Sequence, residues 1–173
     1  MDVSYDIWTG ESMSEVIQNL AQFRMQLFAG TDRVEERLSD EMGKLTDFFD
    51  EDAMIIAAND CGQLVGVITM VGLSEHVIEF VDYHRFGDLV KVTEGPIVHP
   101  YYRGMGIGQG LLRELINECE IRNIDALLVQ SGVSKQTTDT DQMDAVTTIA
   151  KRFDLSSVDH ESQVLFSKIW HYN

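Results

Sequence analysis

The sequence predicts a mixed α/β fold with one sheet that is mostly antiparallel and contains a single parallel crossover. Two observations predict it: an early pair of strands joined by a tight turn, and a later succession of strand, helix and strand. A third observation is Gly95-Pro96 inside an otherwise regular strand. Proline lacks the backbone donor and glycine packs no side chain, so the pair marks a bulge. We expect the bulge to splay this strand from the one that follows the helix.

The first half of the chain is predicted to hold a strand, two helices and a hairpin. Alternation predicts the strand, and apolar residues at helical spacing predict both helices. The first helix opens with a capping box, Ser12-Met13-Ser14-Glu15. Asn, Asp and Gly in Asn59-Asp60-Cys61-Gly62 favour the tight reversal of the hairpin. In chain order, these elements span residues 3–8, 12–30, 31–49, 53–58 and 63–71.

The second half is predicted to hold the crossover unit, a further helix and a last strand. Residues 72–89 are long for a connection inside a compact domain and mix charged with aromatic side chains, as a functional loop does, although residues 77–81 equally fit a short strand. A polar loop is predicted at residues 131–139. The regular elements are a strand at 90–98, a helix from 106 to about 119, a strand at 124–130, a helix around 143–153 and a strand at 164–170.

Composition narrows the class of protein. The 173 residues suit a single domain over residues 1–173, and the formal net charge of -16 disfavours nucleic acid and anionic membranes while favouring cationic partners. A salt-tolerant host or solubility alone explains the charge equally well. The acidic N-terminus does not have the pattern of a signal peptide, so we expect a soluble, cytoplasmic protein. Neither the histidines nor the two cysteines have ligand spacing, so no metal site is expected.

A glycine-rich stretch, Tyr101-Tyr102-Arg103-Gly104-Met105-Gly106-Ile107-Gly108-Gln109-Gly110, lies between the strand at 90–98 and the helix that follows it. A P-loop requires Gly-Lys-Ser/Thr, but Gln109 follows Gly108. A dinucleotide fingerprint requires G-x-G-x-x-G, and from Gly104 or Gly106 the last position is Gln109 or Leu111. Both kinds of phosphate loop are excluded by spacing.

The remaining pattern, R-x-x-G-x-G from Arg103 to Gly108, resembles the acetyl-coenzyme A motif of the GCN5-related N-acetyltransferase (GNAT) family. The resemblance extends over residues 92–129 and includes the lead-in His99-Pro100-Tyr101-Tyr102. It implies about seven strands with a splayed central pair, flanked by about four helices. It also implies an N-acetyltransferase that moves an acetyl group from acetyl-coenzyme A to a primary amine by direct attack in a ternary complex.

The predicted cofactor site combines the first helical turn with the splayed strand. Backbone amides in the first turn of a helix have no intrahelical acceptor, and the helix dipole adds positive potential there. We therefore expect a pyrophosphate on these amides, with a charge-assisted contact from the side chain of Arg103. The amides belong to Gly104, Met105, Gly106, Ile107 and Gly108. The resemblance further implies that backbone groups near Ile97, Val98 and His99 contact the pantetheine arm.

Acetyl transfer requires an uncharged amine, whereas an aliphatic amine with a pKa of ~10 is protonated at neutral pH. The resemblance implies that Glu94, five residues before His99, is the general base, although an exposed carboxylate or an amine anchor is an equal interpretation. The family often carries a tyrosine acid in its fourth helix, and the corresponding position here is Ala150. Tyr83 is the first candidate for that acid, and Ser134 and Thr137 are further candidates.

The acceptor is expected to be a small cationic amine or a peptide amine, bound near acidic residues of the first two helices and the long loop. Two other functions stay open: a non-catalytic acyl-coenzyme A sensor or adaptor, and an acidic decoy for a basic protein. The C-terminal strand at 164–172 offers an edge for homodimer formation across a twofold axis. The acidic residues expected near the acceptor amine are Asp32, Glu35, Glu36, Glu79 and Asp82.

Overall fold

The computed structural model describes residues 2–28, 43, 45, 53–72, 90–124, 126–134, 150–160 and 163–169. Contacts divide the chain into two compact units. Unit 1 consists of Met1–Val71 with Pro96–Leu111, and unit 2 consists of Gly72–Gly95 with Leu112–Asn173.

Unit 1 is built around strands β1 (Val3–Thr9), β2 (Met54–Asp60) and β3 (Gln63–Gly72). The pairs β1–β2 and β2–β3 are antiparallel, and the C-terminal end of β4 (Val90–Val98) follows β3 in the strand order. The predicted hairpin is confirmed, with Cys61 (φ 50°) and Gly62 (φ 80°) both in the left-handed region that a two-residue hairpin turn requires.

Helix α1 (Met13–Phe28) supplies the core of unit 1. Its apolar face buries residues such as Met13, with no exposed area, and Leu20, with 1% exposed, in a cluster that includes Ile55 and Val67 of the sheet. Each such fully buried aliphatic side chain contributes about 1.5–3 kcal/mol, so this face holds the helix in place.

The start of α1 differs in detail from the prediction. A 3₁₀ turn, Gly10–Ser12, precedes the helix. The Ser12 hydroxyl accepts from the amide of Thr9 at 3.0 Å and donates to its carbonyl at 2.7 Å. Ser12 therefore closes the 3₁₀ turn instead of beginning the α-helix, because its hydroxyl is already engaged with Thr9.

Helix α2 (Ile107–Ile121) begins in unit 1, where it packs closely on the strands. A Cβ atom at Gly66 of β3 would lie 3.0 Å from Ile107 Cγ2 and 3.1 Å from Leu111 Cδ1. A Cβ atom at Gly110 would overlap the phenol of Tyr5. Glycine at these two positions therefore permits a close approach of helix and sheet.

Unit 2 contains the parallel crossover and a C-terminal hairpin. The first part of β4 pairs in parallel with β5 (Ala126–Ser134), and the strand order continues with β7 (Gln163–Ile169) and β6 (Ser156–His160), each pair antiparallel. Strand β6 was missed by the sequence analysis because its polar residues resemble a loop. Strand β5 extends four residues beyond the predicted end at 130, into the stretch expected to be a polar loop.

The predicted fold class is confirmed: the described strands number seven, and β4–β5 is the parallel pair among recorded pairs that are otherwise antiparallel. The parallel register is recorded as far as Glu94 and Gln130, although both strands continue beyond it. The predicted helix at 31–49, the loop at 72–89 and most of the helix around 143–153 lie outside the described residues.

Candidate active site

The turn between β4 and α2 opens with a compact 3₁₀ turn, Pro100–Tyr102. His99 caps it: the His99 Nδ1 atom accepts from the amide of Tyr101 at 3.3 Å, and the His99 carbonyl accepts from the amide of Tyr102 at 2.9 Å. The His99 ring stacks on Tyr101 with centroids 5.4 Å apart. The histidine in the motif therefore shapes the approach to the glycines.

Two glycines of the motif provide backbone conformation. Gly104 has φ 76° and Gly106 has φ 83°, both in the left-handed region that side chains with a Cβ rarely adopt. No heavy atom of the residues that the structure describes lies within 4 Å of a Cβ built on either glycine. The space over this backbone is open, as the approach of a ligand requires.

The amides that follow form the central feature of the site. Within the described residues, no acceptor is bonded to the backbone N–H groups of Gly104, Met105, Gly106, Ile107 or Gly108, and the next recorded bond runs from Gly110 N to Gly106 O at 3.0 Å. We call these five N–H groups the amide cradle. Because they precede the first closed turn of a 15-residue helix, they add to the positive end of its dipole.

A coenzyme A pyrophosphate fits this cradle. Consecutive free amides at a helix N-terminus donate to phosphate oxygens, and the open space above Gly104 and Gly106 removes the steric barrier to close approach. No acidic residue occurs between Arg103 and Gly110. The cradle thus has the chemistry to accept an anion locally in a chain of strongly negative charge.

Arg103 lies at the entrance to the cradle. Its Nε atom donates to the carbonyl of Val98 at 3.2 Å, while its own amide bonds to the carbonyl of Pro100 at 3.3 Å. In the described part of the chain, the two terminal guanidinium nitrogens have no acceptor. The bond to Val98 anchors the exposed side chain and leaves those nitrogens available for a phosphate.

Hydrogen bonding at the end of β4 reduces the number of predicted residues whose backbone groups can contact the pantetheine arm. The amide of His99 donates to the Val65 carbonyl of β3 at 2.9 Å, so it is not available to a ligand. Backbone groups of successive strand residues point to opposite edges, and the groups of Ile97 therefore also face β3. Only Val98, of the three predicted residues, directs its amide and carbonyl away from β3, and its carbonyl is the one that Arg103 contacts.

The last two glycines of the stretch have packing roles. A Cβ at Gly108 would meet Pro96 at 3.5 Å and Val98 at 3.6 Å, which are ordinary contacts, whereas one at Gly110 would overlap Tyr5. Gly108 therefore contributes an amide to the cradle and also packs against β4. Phosphate binding by Gly108 was expected from the sequence, whereas the contact of Gly110 with Tyr5 was not.

Tyr102 links the turn to the β2–β3 hairpin. Desolvation raises the pKa of the Tyr102 hydroxyl, and the charge of Asp60 and its hydrogen bond to that hydroxyl raise the pKa further, with a smaller effect from Cys61. The neutral phenol that donates to Asp60 is therefore the favoured form. The Tyr102 phenol therefore lies beside the Asp60 carboxylate at the end of β2.

The structure describes only some of the predicted catalytic residues. Glu94 is the last β4 residue with a recorded partner on β5, immediately before Gly95-Pro96, and the structure describes its backbone alone. Tyr83 lies outside the described residues. Ala150 is 4% exposed, and its carbonyl accepts from the amides of Phe153 and Leu155. The position where the family often has a tyrosine therefore holds a buried methyl group.

Val65 and Gly66 of β3 were missed by the sequence analysis as supports of the site. Val65 holds the end of β4, and Gly66 lets α2 approach the sheet. A signal was present, since an isolated glycine inside a strand marks close approach of another chain segment.

Among the described residues, no group of three or more His, Cys, Asp or Glu side chains has the arrangement of a metal site. Within the same residues, neither helix has the length and hydropathy needed to cross a bilayer.

The fold and the cradle together define a coenzyme A-dependent acyltransferase, and comparison with known families agrees. Residues 17–139 match the model of the acetyltransferase (GNAT) family, and this match covers most of the chain. The chain belongs to the GNAT family of acetyltransferases. Its activity is therefore that of an acyltransferase, and its cofactor is acetyl-coenzyme A. No match was found among curated protein sequences.

Solved structures share the fold at low sequence identity. A ribosomal-protein-alanine N-acetyltransferase from Brucella melitensis has a TM-score of 0.66 and 16% identity, over 95% of this chain and 99% of that one. The acetyltransferase yncA from Salmonella typhimurium, described as putative and solved with acetyl-coenzyme A, has a TM-score of 0.66 and 11% identity, over 98% and 96%. The PaiA N-acetyltransferase from Thermoplasma acidophilum, in complex with coenzyme A, has a TM-score of 0.61 and 12% identity, over 98% and 100%.

Proposed function

We propose that the protein is an N-acetyltransferase that acetylates a primary amine by direct attack within a ternary complex. The observation that carries the proposal is the amide cradle: five consecutive backbone donors without an acceptor in the described residues, at the start of α2. Acetyl-coenzyme A, when bound, supplies an activated acetyl thioester. The cradle and the side chain of Arg103 hold its diphosphate, and Val98 offers backbone groups to its pantetheine arm.

Glu94 removes the proton from the amine, directly or through a water molecule. The support for this role is its position on β4, at the last recorded pair with β5, immediately before Gly95-Pro96 and close in sequence to Val98. An ammonium group with a pKa of ~10 cannot attack a thioester, so a base at this position performs a necessary step. The proton moves from the ammonium nitrogen to the Glu94 carboxylate or to solvent.

The missing acid at Ala150 does not prevent transfer. A general acid contributes about 10²–10⁴-fold, or roughly 3–5 kcal/mol, whereas correct positioning of two reactants contributes about 7–11 kcal/mol. A thiolate is also a moderate leaving group, since thiols ionise near pKa ~8.5. Positioning is the larger effect, so a slower or more selective enzyme is expected.

The acceptor is a cationic primary amine, either a small molecule or a peptide amine, and the reaction takes place in the cytoplasm. The net charge of -16 supports a cationic acceptor because it raises the local concentration of cations around the chain. The ribosomal-protein-alanine N-acetyltransferase with the same fold keeps a peptide amine among the candidates. The predicted homodimer edge at the C-terminal strand is wrong, because β7 pairs with β5 on one side and with β6 on the other.

The test combines thermal unfolding with a thiol-release assay over a panel of small amines and peptides. Acetyl-coenzyme A is expected to raise the melting temperature, and at least one amine is expected to release free thiol. Stabilisation without thiol release from any amine would favour the sensor, for which the buried Ala150 is the specific observation. No stabilisation at all would leave only the acidic decoy.

A substitution tests the base. Glu94→Gln is expected to lower turnover by about 10²–10⁴-fold near neutral pH, with cofactor binding retained. The loss should shrink as the pH rises towards ~10, because the amine then loses its proton without help. Glu120→Gln, on the exposed side of α2, is the matched control. An unchanged rate in Glu94→Gln would remove Glu94 from the mechanism.

A further inference from the structure

A second concave surface of unit 1 lies between α1, β1 and the β2–β3 hairpin. It is a groove of about 540 Å³, a volume within the usual range for small-molecule sites. None of the twelve residues that line it belongs to the amide cradle or to the end of β4. We call it the α1 groove.

The α1 groove lies on the opposite face of β1 from helix α2. Asp6 and Trp8 line the groove, whereas Tyr5 lies against α2 at Gly110. Successive side chains of a strand point to opposite faces, so the sheet separates the groove from the helix that carries the cradle. A ligand in the groove is therefore bound apart from the cofactor.

Side-chain amides dominate the polar lining. Asn19, Gln22 and Gln26 follow one another at helical spacing along one side of α1, and all three are exposed. None of the three has a hydrogen-bond partner within the described residues. Asn59 and Gln63 add two more amides from the hairpin. Within the described part of the chain, the groove thus offers several side-chain carbonyl oxygens without a donor to a ligand with N–H or O–H groups.

Among the described residues that line the groove, one is charged. Asp6 is the only charged residue among the twelve, and the Asn59 side-chain amide donates to its Oδ2 atom at 2.7 Å, which fixes the orientation of the carboxylate. Its Oδ1 atom has no partner within the described residues. The half-buried ring of Trp8 lines the same groove. An oriented carboxylate and an indole ring are the two groups that bind ammonium ions most directly.

We propose that the α1 groove binds organic cations with a primary ammonium group and further polar substituents, such as linear polyamines or amino sugars. The ammonium group contacts Asp6 and the face of Trp8, and the remaining donors contact the side-chain amides of α1. The net charge of -16 strengthens the attraction of cations. The proposal places this site on the face of β1 opposite to α2, apart from the acceptor site, and does not depend on the proposed reaction.

The first experiment is calorimetric titration of the protein without acetyl-coenzyme A. Spermidine represents the linear polyamines, and glucosamine represents the amino sugars. Glucose is the matched neutral ligand, because it differs from glucosamine in a hydroxyl group in place of the ammonium group. At least one cation is expected to bind saturably and glucose is not. Equal binding of glucose and glucosamine, or no saturable binding of either cation, would overturn the proposal.

Two substitutions locate the binding site. Asp6→Asn keeps an acceptor for Asn59 but removes the charge, and Gln26→Lys places a positive charge in the groove. Each is expected to raise the dissociation constant of the bound cation by about fivefold or more. Gln18→Lys is the matched control, since Gln18 is an exposed residue of α1 that does not line the groove. It changes the net charge of the chain equally and should change the affinity less than about twofold.

The same variants separate this site from the reaction. Thiol release with saturating amine is expected to be unchanged in Asp6→Asn, while cation binding is weakened. A parallel loss of thiol release would identify the groove as the acceptor pocket itself and would contradict a separate site. Equal weakening by Gln18→Lys and Gln26→Lys would show a general charge effect and would also contradict the proposal.

Discussion

At the scale of single residues, Arg103 joins the strand to the cofactor site. Its Nε atom is fixed on the Val98 carbonyl at 3.2 Å, so the guanidinium group is positioned before any ligand binds. A flexible cation would lose side-chain entropy on binding phosphate, and this anchor reduces that cost. The contribution of Arg103 to affinity is therefore expected to exceed that of an ordinary surface charge.

Arg103→Gln is expected to weaken acetyl-coenzyme A binding by about tenfold, since hydrogen bonds to charged groups contribute about 1.5–3 kcal/mol and this residue is exposed. Arg113→Gln on α2, where the side chain is 59% exposed, is the matched control and should leave the affinity nearly unchanged. Isothermal titration at low and high salt measures both. Equal effects of the two substitutions would mean that Arg103 acts only through net charge.

Tyr102 gives the turn a pH dependence. The pKa of its hydroxyl is raised above the ordinary value of 10.0, so its bond to Asp60 stabilises the fold fully below about pH 10 and is lost as the pH rises through the folded-state pKa. The difference in melting temperature between the wild type and Tyr102→Phe is therefore expected to shrink above pH 10. Tyr101→Phe is the control, because Tyr101 is 85% exposed. A difference that stays constant with pH would contradict this role.

At the scale of elements, the junction between β4 and α2 combines two demands on the backbone. The chain must reverse through left-handed glycines and must also leave the first amides of the helix open. A substitution at Gly106 affects both demands, whereas one at Gly62 affects the first alone. The similar φ values of the two glycines make this comparison a matched one.

Gly106→Ala and Gly62→Ala are each expected to lower the free energy of unfolding by about 1–2 kcal/mol, because an L-residue is strained in the left-handed region. Neither new Cβ would meet a heavy atom of the described residues within 4 Å, so no steric overlap with them adds to this loss. Only Gly106→Ala should also weaken acetyl-coenzyme A binding. Denaturant unfolding and titration of both variants provide the comparison, and equal affinities would show that the cradle does not need this backbone conformation.

At the scale of the whole molecule, the features that local sequence patterns determine were predicted, whereas the features that depend on contacts between distant residues were not. The hairpin, β4 and the start of α2 follow from turn residues, alternation and helical spacing, which are properties of short stretches. Strand β6 escaped prediction because its polar sequence is stabilised by pairing with β7, a contact that the sequence does not encode locally. The support that Val65 and Gly66 give to the site was missed for the same reason, since it depends on contacts with β4 and α2 that are distant in sequence.

The candidate site was predictable to a similar degree. The open amides follow from the first turn of any helix, and the spacing of the glycines selected the kind of loop. The engagement of the His99 amide with β3 and the contact of Gly110 with Tyr5 depend on neighbours distant in sequence. The α1 groove is another product of tertiary structure, since its lining comes from a strand, a helix and a hairpin.

The most direct test of the account observes the cradle amides during titration with coenzyme A. In ¹H–¹⁵N correlation spectra, the amide resonances of Gly104, Met105, Gly106, Ile107 and Gly108 are expected to shift saturably. The amide resonance of Asn123, beyond the C-terminal end of α2, is expected to stay in place. The account would be contradicted by saturable binding of coenzyme A, seen by calorimetry, with these five resonances unmoved.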